Sequence, residues 1–305
     1  MKRHFMAILF AWLADLEEQW LIAGIMQTCC PHCLARESNF GSHFHFDRQT
    51  GQSIIDRLVA LRQTWRDANL YQFSGKAAPL GYSGIEPKDL CWFGLGIDIC
   101  KVISVDMLHG LHKFVHDHVL LWVQEVIGTQ ELDRRLQAQV YYSGQPTFKL
   151  GISKLSQMSG QENRELQQHL FVSIAGAETS DGGLVDPHVF TAVCALFNFI
   201  WCAQLCEHTE ATLDTMKNDL ATFHSIKQVF INLGARVSDQ GNVLDHFNFP
   251  KLHMLLKYCS NIMDLGAADN FGTDVTESMH RFFCHQTFKA MNKRDYEPQM
   301  VRNLN

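Results

Sequence analysis

Residues 5–18 read FMAILFAWLADLEE, an apolar run that passes directly into Asp15, Glu17 and Glu18. From Phe5 to Ala14 no side chain is charged, which suits a strand buried on both faces, while periodicity alone leaves a buried helix open. We read a central strand that ends at Asp15. The basic tip ahead of it and the short apolar run also have the outline of a secretory leader. The acids that follow at once, and the strand reading of the same residues, count against one, so secretion is not expected. No stretch approaches the roughly 20 uninterrupted apolar residues that span a bilayer, and no membrane partner is expected.

The 305 residues are 46% hydrophobic, enough to bury one large core or two modest ones. A net charge of -6 and a pI near 6.2 count against a protein that coats nucleic acid by bulk electrostatics, because counterion release needs clustered Lys and Arg. Any DNA contact must be local. Ten cysteines at irregular spacings and sixteen histidines do not make a small disulfide scaffold, and point to a reducing compartment.

Beyond the first run, the polar stretch with Gly41, His43, His45 and Gly51 reads as a loop. Ile54, Leu58, Leu61 and Trp65 recur at helical steps. Gly75 to Pro87 reads as an irregular connection. Leu108, Leu111, Val115, Val119 and Val123 mark a long helix with Asp106 at its head, where a carboxylate suits the helix dipole. Val189 to Cys206 is apolar almost all round, as in a helix inside a bundle, and Leu213, Met216, Leu220, Phe223 and Phe230 form a one-sided stripe that ends at Gly234. Pro250 suits a first helical turn, and a last helix starts near Thr273 or Asp274. With one or two strands visible, the fold is expected to be mostly α with a small α/β remnant.

Three constellations carry chemistry. Cys30 and Cys33, in CPHC, are spaced so that both sulfurs reach one tetrahedral Zn2+ from a tight turn, though buried free thiols explain such a pair as readily. His109 and His112, in DMLHGLH, lie three apart and so share a helix face, but His116 and His118 follow in the same helix and cannot all point one way. Together the two pairs have the ligand count of a closed zinc site that pins distant parts of a fold. Third, Asp15 at a strand end and Glu277 on a late helix are placed to grip Mg2+, against the plainer reading of Asp15 as a strand end that opens a helix. Asp98, Asp106 and Asp274 are further candidates on the same footing.

In order along the chain, AWLADLEEQWLIAG, CPHC, SVDMLHGLHKFVHDHVLLW, ELDRRL, KLGISKLSQMSGQENREL, HFNFPKLHMLLKY, TDVTESMHRFF and NKRDYEPQM resemble the core of Plavaka-type transposases, over roughly residues 10–300. These form a fungal branch of the CACTA superfamily of cut-and-paste DNA transposases. The resemblance implies an incomplete ribonuclease H-like core (1–105, with the CxxC element), a large helical insertion (106–265) and a C-terminal helix of the catalytic core (266–305).

It implies further that Asp15 and Glu277 are catalytic acids, with Asp274 in reserve, holding Mg2+ or Mn2+ for phosphodiester cleavage and strand transfer. Similar transposases carry a CxxC pair and a later D/HxxH element, which implies structural Zn2+ at Cys30, Cys33, Asp106, His109 and His112. Implied partners are transposon-end DNA and further copies of the chain, with nuclear localisation, or cytoplasmic for a non-functional fragment. The first catalytic aspartate of such enzymes is expected ahead of residue 5, where this sequence has no room for it. The polypeptide alone is therefore expected to be inactive. A gene-model fragment, a decayed copy and a domesticated, zinc-stabilised helical scaffold for protein or DNA contacts all fit that expectation.

Overall fold

The structure, a computed structural model, describes residues 9–143, 148–153, 155, 158–179, 182–238 and 240–304. Among these, pairing of extended chain is confined to isolated β-bridges, and helices make up most of the rest. Residues 1–8 lie outside the described set; from 9 to 15 the chain is extended and makes a single parallel bridge, Trp12 to Ile103. Trp12 donates its amide to the Val102 carbonyl at 2.6 Å and accepts from Ser104 at 3.0 Å. Among the described residues this stretch has the one bridge partner, and Phe10 is 60% exposed.

Asp15 ends this strand and caps helix α1, Leu16–Ala23, its side chain accepting the Glu18 amide at 2.8 Å. After α1, Gly24 turns with φ 74, a conformation that favours glycine. α2 (Gly51–Thr64) buries Ile54, Leu58 and Leu61, the residues that carried its periodicity. α3 (Leu70–Ala77) runs through Gly75, so the connection read as irregular from that glycine begins later. The Asn69 side chain and Gln72 form a reciprocal cap that offsets the glycine's helix cost. α4 (Ile99–Val102) leads into the 103–105 segment beside the opening strand. These parts share one core, from Ala14 and Trp20 through Phe73 and Trp92 to Ile103.

A second, larger core runs from Val105 to Ala268. Its axis is the helix headed by Asp106, which contains two wide π-helical stretches, Leu108–His112 and Val115–Leu120, before α5 (Leu121–Ile127). Around it lie α6 (Thr129–Gln137), α7 (Gly160–Ile174), α8 (Pro187–Ala203), α9 (Glu210–Ile226) and α10 (Gln228–Asn232). α8 is apolar almost all round because it packs against both α7 and α9. α11 (Pro250–Met254) and α12 (Tyr258–Leu265) return the chain to the N-terminal part, and α13 (Thr273–Met279) follows.

The two cores meet along a polar seam. Gln19, buried, donates to the carbonyls of Ala14 (2.9 Å) and Ser104 (3.0 Å), and Asn261 of α12 accepts the Val105 amide at 3.1 Å. A small apolar cluster of Cys30, Cys33, Ala35, Phe40 and Met254 spans the same seam. No described helix is long and apolar enough to cross a membrane, and all ten cysteines are free thiols.

Candidate functional site

The first centre forms around Asp106. This carboxylate is 5% exposed and occupied on both oxygens. Oδ1 accepts the Leu108 amide at 3.0 Å and the Thr273 hydroxyl at 2.8 Å; Oδ2 accepts the His109 amide at 3.0 Å and lies 2.6 Å from His109 Nδ1. Burial works to raise its pKa, yet the hydrogen bonds from His109 and Thr273 take it below the usual carboxylate range. The imidazole is held from the other side as well, with Nε2 at 3.1 Å from Glu277 Oε1. The Asp106 bond, then Glu277 and Asp15, raise the His109 pKa against the opposing effect of burial.

Three acids thus act on one imidazole: from the strand end, from the head of the π-containing helix and from α13. A small cavity of about 20 Å3 beside them is lined by Leu16 and Gln19 of α1, by Asp106, His109 and Gly110, and by Lys251, Met254 and Tyr258. Lys251 is anchored there by Asp117 at 2.7 Å. A buried carboxylate behind one imidazole nitrogen and the more exposed Glu277 before the other fix the orientation of the ring, as carboxylates do for histidines that face a cation.

The second centre is at the seam. The ligand atoms of Cys30, Cys33 and His253 lie within 4.8 Å of one another, all three residues are buried, and the group could hold a metal ion such as zinc. Cys33 Sγ lies 3.2 Å from His253 Nε2, and Lys257 donates to the same sulfur at 3.0 Å. A hydrogen bond from Cys30 pulls the Cys33 thiol well below its ordinary pKa, with His253 and Lys257 acting in the same direction, whereas burial holds the Cys30 thiol up. Two sulfurs and one imidazole fit three corners of a tetrahedral Zn2+. No fourth Cys, His, Asp or Glu joins them among the described residues.

The residues singled out from the sequence therefore divide between two places. Cys30 and Cys33 meet His253; Asp106 and His109 meet Glu277, with Asp15 in electrostatic reach. His112 is buried with its Nδ1 2.8 Å from the Gln167 side-chain nitrogen. The wide turn over Leu108–His112 explains the split between the two histidines, because residues three apart share a face only at ordinary helical pitch. Asp98 is taken up by the amides of Gly51 (2.7 Å) and Cys100 (3.2 Å), where it caps α4. Asp274 follows Thr273 in α13, and its side chain lies outside the described set.

Sequence reasoning missed His253 and Lys257. The available signal was their spacing of four after Pro250, which puts both on one helix face.

Residues 1–123 match the family model of the Plavaka transposase. No curated protein matches the chain.

Proposed function

We propose that this chain derives from a cut-and-paste DNA transposase, and that Asp15 and Glu277 belong to its phosphodiester-transfer site. The observation that carries the reading is the convergence on His109 of residues from the strand end, the Asp106 turn and α13, across more than half of the sequence. The family match over residues 1–123, which takes in Asp15, Asp106 and His109, supports it independently.

In such a site two divalent ions, Mg2+ or Mn2+, supply activation of the attacking oxygen and stabilisation of the leaving one. Asp15 and Glu277 would hold them, and the Asp106-backed imidazole would orient a ligand or phosphate oxygen from the side. Asp106 is engaged at both oxygens by His109, Thr273 and backbone amides, and in this reading it acts by holding the imidazole. Asp15 and Glu277 are the two acids this reading assigns, and the chain alone is read as inactive, with transposon-end DNA, a nuclear setting and paired copies as the context of an active transposase.

The test uses the purified chain. Mn2+ binding followed by electron paramagnetic resonance should weaken in both Asp15→Asn and Glu277→Gln, and plasmid DNA with Mg2+ or Mn2+ should stay uncut. Binding that neither substitution changes would sink the site assignment; nicking abolished by Glu277→Gln would overturn the inactivity. A second reading, a helical scaffold derived from a transposon, is favoured by the large 105–268 core and the metal-capable cluster beside it.

A further inference from the structure

The Cys30–Cys33–His253 cluster has a neighbour that is not a ligand. Lys257 lies four residues after His253 and is only 8% exposed, and its Nζ sits 3.0 Å from Cys33 Sγ. Its charge acts on Cys30 and on His32 as well as on Cys33. Among the described residues the cluster has three donors, and the side chain that stands against one of its sulfurs is a cation.

Charge counting separates two states of this pocket. With two thiolates and one Zn2+ the core of the cluster is neutral, and the Lys257 ammonium beside it would be a buried charge without a counter-charge, a costly arrangement. With no ion, the buried Lys257 ammonium lies 3.0 Å from Cys33 Sγ, a sulfur able to carry the compensating charge, and His253 completes the contact at 3.2 Å. The second state leaves no net charge buried. The apolar contacts of Phe40 and Met254 that surround it do not depend on a metal.

We propose that Lys257 closes the Cys30–Cys33–His253 cluster in place of a fourth ligand, so that the seam holds without an ion and a thiophilic divalent cation enters only as a competitor of the ammonium. The three donors remain able to take Zn2+ or Cd2+, but weakly and exchangeably. This rests on the geometry of the cluster and not on the transposase reading, and its test does not involve DNA.

The experiment compares the full chain with Lys257→His. After dialysis against EDTA, wild type should keep its melting temperature and carry well under one zinc per chain by elemental mass spectrometry. Competition with a chromophoric chelator should show Lys257→His binding Zn2+ more tightly by roughly 10- to 100-fold, the scale on which one supporting residue changes the affinity of a metal site. Co2+ spectra should show a four-coordinate tetrahedral pattern only in the variant. One tightly held zinc in wild type, whose removal collapses the melting transition, would overturn the proposal whether or not Lys257→His folds. Equal Zn2+ affinity in the two proteins would do the same.

Discussion

His109 and Glu277, 168 positions apart in sequence, meet through Nε2 and Oε1 at 3.1 Å, at a site where the glutamate side chain is still 54% exposed. An ion pair that open to solvent contributes little to stability. The opposite face of the same imidazole is different, because Asp106 is buried and depends on it.

The two faces can be separated by denaturant titration. His109→Ala leaves a buried carboxylate short of a partner and should cost about 1–3 kcal/mol, whereas Glu277→Gln should stay within about 0.5 kcal/mol. A large loss for Glu277→Gln would mean that the carboxylate is structural, and would remove a reason for assigning it to ion binding.

Gly110 makes a prediction with the opposite sign from helix propensity. A Cβ there would lie 2.5 Å from Tyr258 Oη, and that hydroxyl is buried and donates to the Asp106 carbonyl at 2.6 Å. In an open helix Gly→Ala gains up to about 1 kcal/mol. Here Gly110→Ala should instead lower stability by about 1–3 kcal/mol through overpacking, measured by thermal or urea unfolding. Gly110→Ala combined with Tyr258→Phe should recover part of the loss.

How far the sequence could be read depended on whether a signal was local. The α8 run, the stripe of Leu213, Met216, Leu220 and Phe223, Pro250 at the head of α11 and the start of α13 near Thr273 all reappear, since each is written in the spacing of neighbouring residues. The opening run was legible as an extended stretch ending at Asp15, but its pairing with Ile103 was not, because a strand's neighbours are not written in its own composition. The pairing of His109 and His112 assumed ordinary pitch, and the π-helical stretch broke it. Cys30 and Cys33 were legible as a pair, but His253 reaches them only through tertiary packing, and Lys257 has no motif to announce it.

The seam between the cores should be sensitive at Asn261. Its side-chain oxygen accepts the Val105 amide at 3.1 Å, and its amide nitrogen reaches the Ile103 carbonyl at 3.4 Å, all buried. Asn261→Ala strands both backbone groups and should cost about 1–3 kcal/mol. Asn261→Asp keeps the acceptor and loses the donor, so it tests which bond matters; an unchanged unfolding midpoint in Asn261→Ala would show that water replaces both.

His118 sets a pH dependence. Its ring lies 4.2 Å from that of Phe249 and near Phe114 and Trp122, with Lys251 and Arg236 as neighbouring cations and Asp117 as the opposing anion. Burial first, and then the two cations, take its pKa down to about 3 against the raising effect of Asp117. The unfolded chain takes up a proton at this histidine below about pH 6.5, while the folded protein does not until near pH 3. Its contribution is therefore complete above the unfolded value and is lost as pH falls from about 6.5 to about 3. His118→Phe keeps the ring and removes the titration. In urea titrations across that window, the wild type should lose stability faster than the variant by up to about one proton's worth, roughly 1.4 kcal/mol per pH unit. Parallel curves for the two proteins would show that His118 takes up its proton in the folded state as readily as in the unfolded one.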